Sequence, residues 1–116
     1  MTTPLDAYYR AIDAGDVDGT VACFTDDAVY IRPSLEGESL EVARGRSELE
    51  AYFAARGKQP HRHVVVACAF EDGLCFVEGA AGIEGEPATH SFLATATIES
   101  DGRISRYFAL RADALS

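Results

Sequence analysis

"HRHVVVACAFEDGLCFVEGAAG", residues 61–82, is the stretch on which the fold turns. Two apolar runs flank Glu71-Asp72-Gly73, and that punctuation signals a β-hairpin. The length of the turn leaves two registers open. A two-residue loop, Asp72-Gly73, sets Ala67 opposite Glu78 and points the glutamate inward. A three-residue loop, Glu71-Asp72-Gly73, sets Val77 opposite Ala67 and points Glu78 outward. One residue of register moves every side chain to the other face.

Downstream the β pattern continues. "THSFLATATI" alternates, "ESDG" turns, and "RISRYFALR" follows. Upstream the pattern is helical. Thr3 can cap a helix over Pro4 to Ala14, with Leu5, Tyr8, Tyr9 and Ile12 as its apolar stripe and Gly15 as its stop. Asp16 can cap a second helix that buries Val17, Val21 and Phe24. A third runs from about Arg46 to Arg56, with Leu49, Tyr52 and Phe53 inward and Gly57 ending it. Between the second and third lie a short strand, Ala28 to Arg32, and the loop "PSLEGESLEVARG". Pro33 ends that strand because it cannot donate to a ladder. The order α-α-β-α-β-β-β-β predicts an α+β fold, with helices packed on one face of a curved antiparallel sheet.

The chain has 116 residues, which fits a single domain over 1–116 with no repeat or linker. Apolar residues make up 47% and charged residues 25%, an ordinary soluble composition. Ten basic against nineteen acidic residues give a net charge of −9, which repels phosphate backbones and argues against a nucleic-acid partner. No apolar run is long enough for a membrane span. The start, "MTTPLDAYYR", lacks a basic region followed by an apolar run, so no signal peptide and a cytoplasmic location are expected. The three cysteines, Cys23, Cys68 and Cys75, have no CxxC spacing and sit among apolar neighbours. They read as buried thiols.

Four segments in order resemble a known family: "YYRAIDAGD", "FTDDAVYIRP", "GRSELEAYF" and "SDGRISRYFALR". The chain resembles the nuclear transport factor 2-like superfamily, in the branch of SnoaL-like polyketide cyclases and ketosteroid isomerases. The resemblance spans essentially the whole chain. It implies a cone with a small-molecule pocket inside and a homodimer through the outer sheet face. On that alignment Leu93, Thr95 and Thr97 face outward, beside Val64, Val66 and Cys68. The alignment also favours the outward choice for Glu78.

The same alignment turns Tyr8, Tyr30 and Arg32 toward the cavity. His61, His63, Val65 and Ala67 follow on the next strand, then His90, Phe92, Ala94 and Ala96, then Tyr107, Ala109 and Arg111. Ketosteroid isomerases place a carboxylate base where Arg32 stands and a protonated aspartic acid where Ala94 stands. Arginine is no base and alanine donates nothing, so that mechanism is excluded. Tyr8, His63 and His90 are the candidates for acid–base work. Each also has an ordinary reading as a packed, hydrogen-bonded core residue. Glu78 is the only strand carboxylate available to help them. Arg32 and Arg111 suit an anionic ligand, with Tyr30, Tyr52, Phe92 and Tyr107 as ring contacts. The plainer alternative is that Arg32 pairs with Glu36, Glu38 or Glu41 of the loop. His61 and His63 share a strand face, but no third ligand stands at metal spacing, so neither a metal nor another cofactor is expected. The implied function is an acid–base isomerase, cyclase or hydrolase on a small organic molecule. The alternatives are a non-catalytic binder or a dimeric assembly domain on the same fold.

Overall fold

The structure is a computed structural model describing residues 2–33 and 40–113. Three helices pack on a six-stranded, curved sheet that does not close. Helix α1 covers Asp6–Ala14, α2 Val17–Ala22 and α3 Gly45–Arg56. Strands are β1 Phe24–Pro33, β2 Leu40–Arg44, β3 His61–Glu71, β4 Leu74–Ile83, β5 His90–Ile98 and β6 Ile104–Asp113. No helix is long and apolar enough to cross a membrane.

Local chemistry sets the helix ends. The Thr3 hydroxyl accepts from the Leu5 amide, while the Asp6 carboxylate accepts from the Thr3 amide and hydroxyl. This reciprocal box satisfies donors that a helix start leaves open. Helix α1 stops at Gly15, in left-handed backbone at φ 71°. Asp16 caps α2 by accepting from the Gly19 amide.

The strand order is β2-β1-β6-β5-β4-β3. It differs from an all-antiparallel sheet in two ways. First, β1 pairs with β6 in parallel, so the sheet is mixed. The chain reaches β6 only after the β3–β5 meander has been laid down, which returns it beside β1 in the same direction. Second, part of the expected loop is a strand. Leu40–Arg44 pairs with β1, placing Glu41 opposite Arg32. Glu36 and Glu38 lie outside the described residues.

The hairpin turn is the two-residue form. Asp72 and Gly73 both take positive φ, 53° and 79°, as that tight turn demands. Ala67 indeed opposes Glu78, yet both are exposed. The cause is a bulge: Val65 pairs with Gly79 and Ala67 with Glu78, leaving Val66 extra. The bulge reverses the phase of β3 beyond it. Ala67 therefore leaves the inner face, and Cys68 joins the side chains packed against the core. Glu78 points outward because Cys75 and Val77 hold the inner face of β4.

Strand β5 alternates without interruption: Phe92, Ala94 and Ala96 are buried, and Leu93 is 59% exposed. Phe24, Leu5, Leu49 and Ile104 are fully buried between helices and sheet. Each large apolar side chain so placed contributes about 2–3 kcal/mol.

Candidate active site

The inner sheet face and helix α1 enclose a cavity of about 380 Å³. Tyr8 and Ile12 of α1 line it, with Tyr30 and Arg32 of β1. Arg56 and Gln59 close one side from the end of α3. The far wall carries His61, His63, His90, Phe92, Tyr107 and Arg111. Small residues, Ala81 and Ala109, leave the volume between them.

The floor is aromatic and closed on itself. Tyr8 and Tyr30 share a hydroxyl–hydroxyl bond of 2.9 Å, and Tyr9 and Tyr107 share one of 3.0 Å. Tyr30 and Tyr107 stack at 5.1 Å and 13°. Burial raises the pKa of Tyr8, Tyr9 and Tyr30 well above that of an ordinary phenol, and pushes Tyr107 up to about 12. At neutral pH these groups keep their protons and can only donate or accept hydrogen bonds.

The wall carries His63, a candidate from the sequence, and the structure adds a carboxylate partner that the sequence patterns did not single out. Asp13, at the end of α1, sits against the start of β3. Its Oδ1 lies 2.6 Å from His63 Nδ1, and its Oδ2 accepts from the His63 amide at 2.9 Å. Arg62 reinforces the contact by donating to the Asp13 carbonyl. Side-chain exposure is 19% for His63 and 12% for Asp13, so water dilutes their interaction little. A carboxylate bound at Nδ1 places the imidazole proton on that nitrogen and leaves Nε2 as the acceptor. The His63 ring stacks on Tyr9 at 5.1 Å and meets the Phe92 edge at 5.3 Å. The pair also lines an open groove of about 470 Å³ beyond β3, so His63 borders both the groove and the cavity.

Arg32 stands on the β1 wall, half-buried, beside the Tyr52 hydroxyl. Burial works against its charge, but Tyr30 and Tyr52 more than offset that, and its pKa rises. Glu41 faces it across the ladder, yet Arg32 makes no ion pair among the described residues. Tyr52 does not line the cavity. Its ring packs tilted against Tyr30, 5.1 Å between centroids at 46°, and its hydroxyl interacts with Arg32.

Tyr8, Tyr30, Arg32, His63, His90, Phe92, Tyr107 and Arg111 thus gather on one cavity. His61 and His90 meet edge to face at 4.9 Å, and the His90 Nδ1 is bonded to the Thr89 hydroxyl. Among the described residues, no group of three His, Cys, Asp or Glu side chains is placed to hold a metal ion. Arg56 and Gln59 are additions to the cavity lining, and Asp13 is bonded to His63 from the groove beyond β3. The available signal for Asp13 was its spacing: it lies four residues after Tyr9, on the same face of α1.

The SnoaL-like domain family model matches residues 5–107. The chain belongs to that family. Among curated protein sequences, none matches it. Similar solved structures share the nuclear transport factor 2-like fold. One is a nuclear transport factor 2-like protein of unknown function from Burkholderia xenovorans LB400, 22% identical, TM-score 0.73, over 97% of this chain and 83% of that one. Another is SalBIII, described as an epoxide hydrolase/cyclase-like enzyme in pyran ring formation in polyether salinomycin. It is 20% identical, TM-score 0.72, over 94% of this chain and 88% of that one. A ketosteroid isomerase-like protein from Erwinia carotovora atroseptica SCRI1043 is 18% identical, TM-score 0.68, over 95% and 92% respectively. At these identities the likeness is one of fold.

Proposed function

We propose that this SnoaL-like chain is an acid–base enzyme acting on a small, carbonyl-containing anion. The observation that carries this reading is His63, bonded to Asp13, on the wall of a cavity that also presents Arg32. His63 Nε2 takes a proton next to the substrate carbonyl. Asp13 steadies the imidazolium that results. The enolate charge falls to Arg32, with tyrosine hydroxyls of the floor as further donors. His63 then returns the proton at another carbon, or the enolate attacks within the substrate and closes a ring. Steroid isomerisation by the usual pair of carboxylic acids stays excluded, since Arg32 and Ala94 occupy those positions.

The test works without the substrate's identity. A panel of β-keto and aryl keto acids in D₂O, followed by proton NMR, reads exchange at the acidic carbon. Wild type should accelerate exchange for at least one member, and His63→Asn should lose it by about a hundredfold or more. Exchange unchanged in that variant would sink the proposal. A non-catalytic binder is the second reading, favoured by the floor hydroxyls satisfying one another. It predicts carboxylate-dependent thermal stabilisation, lost in Arg32→Leu, with no exchange at all.

The dimer belongs to the same proposal. Val64, Phe76, Leu93 and Leu110 expose apolar surface on the outer face, each at 44% or more. A second copy covering this face would bury it. Light scattering should give twice the chain mass, and Leu93→Arg should halve it.

A further inference from the structure

Away from the cavity, two sulfurs lie side by side. Cys68 on β3 and Cys75 on β4 bring their Sγ atoms to 3.9 Å. They are diagonal neighbours: Cys68 opposes Val77, and Cys75 opposes Phe70. Their meeting depends on the Val66 bulge, which brings Cys68 round to the face that Cys75 occupies. The two differ in access. Cys75 is fully buried, and burial together with the Cys68 sulfur pushes its thiol up to about 12. Cys68 is half-buried. Cys23 stands apart, its thiol donating to the Gly19 carbonyl within its own helix turn.

We propose that Cys68 and Cys75 form a reversible dithiol–disulfide modification site, with Cys68 as the entry thiol and Cys75 as the resolving one. The sulfurs already sit near van der Waals contact, and side-chain rotation has to bring them to the roughly 2 Å of a bond. The oxidant is a hydroperoxide. The Cys68 thiolate attacks the outer peroxide oxygen, the O–O bond breaks, and hydroxide leaves as Cys68 becomes a sulfenic acid. The Cys75 sulfur then attacks the Cys68 sulfur. The S–S bond forms, the S–O bond breaks, and the departing hydroxide takes the Cys75 proton as water. Each peroxide oxidises two thiols and yields two waters when hydrogen peroxide is used. An external dithiol reverses the step.

The full-length chain is treated with hydrogen peroxide, denatured and alkylated. Alkylatable thiols should fall from three to one, leaving Cys23, with an intact mass lower by about 2 Da before alkylation. Cleavage after Glu71 separates the two cysteines in sequence, so their fragments should stay joined until dithiothreitol is added. In Cys75→Ser, dimedone should trap a sulfenic acid on Cys68. Three alkylatable thiols after treatment, a sulfinic acid on Cys68 beside a free Cys75, or a bond between two chains would each overturn the assignment. Should Cys75→Ser not fold, Cys68→Ser provides a second check, in which peroxide should cause no loss of about 2 Da. Any mass loss there would mean the wrong pair.

Discussion

The floor and the rim of the cavity are a few ångströms apart and chemically opposite. On the floor, Tyr8, Tyr30 and Tyr107 are almost wholly buried, and their hydroxyls are bonded within the cluster of four tyrosines that Tyr9 completes. Burial fixes them as neutral phenols. On the rim, His63 and Arg32 keep partial contact with water, and so does Asp13, bonded to His63 from behind. The difference teaches how desolvation divides labour. A polar group deep in an apolar cluster survives only if neutral and paired, whereas one at the edge can ionise because solvent and partners share the cost.

Raising the pH should break the floor first and with the largest effect. The folded Tyr107 pKa, about 12, lies above the unfolded value of 10.0. The folded chain therefore holds a proton that the unfolded chain releases. Its stabilisation is complete below pH 10 and is lost as pH climbs through 12, about 3 kcal/mol from this group alone. Tyr8, Tyr9 and Tyr30 are shifted the same way, so unfolding and tyrosinate absorbance should rise together in one steep step. In Tyr52→Phe, which leaves only the four floor tyrosines, tyrosinate appearing at pH 10 in a folded protein would contradict the floor as described.

The rim should answer to a single atom. Asp13→Asn keeps the shape but offers Nδ1 a different partner, favouring the wrong imidazole tautomer. Catalysed exchange should drop by about tenfold to a hundredfold in kcat, with KM little changed. A rise in KM alone would instead make Asp13 part of substrate binding.

Gly79 joins the two regions. A Cβ there would meet the Phe92 ring at 2.1 Å, because glycine and phenylalanine face each other across β4 and β5. That ring is also the edge support of His63. Gly79→Ala should displace Phe92 and cost about 1–3 kcal/mol in urea unfolding, with activity falling further than stability explains. The smallest effect belongs to Tyr8→Phe. It removes one phenol bond, worth about 1 kcal/mol, and should leave exchange within a few fold of wild type.

How much could be read in advance differs from strand to strand. The inner face of β5 follows from alternation, since Phe92, Ala94 and Ala96 belong to an unbroken ladder. The far half of β3 does not, because nothing in Val64-Val65-Val66 marks which valine will bulge. Pairing with β4 decides it. Likewise "LEVAR" carries two charges in five residues and resembles a loop until β1 supplies its ladder. Asp13 was hidden for a similar reason. An aspartate near a helix end usually serves solvent or a cap, and its histidine comes fifty residues later. The fold was legible because helix stripes and turns are local. The acid–base pair was not, because it exists only where α1 crosses β3.

The paired hydroxyls of the floor carry one further consequence. In each pair either oxygen can be the donor, so each bond can run in two directions. Reversing one swaps a hydrogen for a lone pair at the cavity surface without moving a heavy atom. The floor is in this sense a pair of two-position switches, four settings in all. On the proposed reaction, a ligand arriving as a ketone would select one setting, and the same ligand leaving as an enol would select another. Such a surface would suit both ends of the proposed tautomerisation at the cost of rotating an O–H bond.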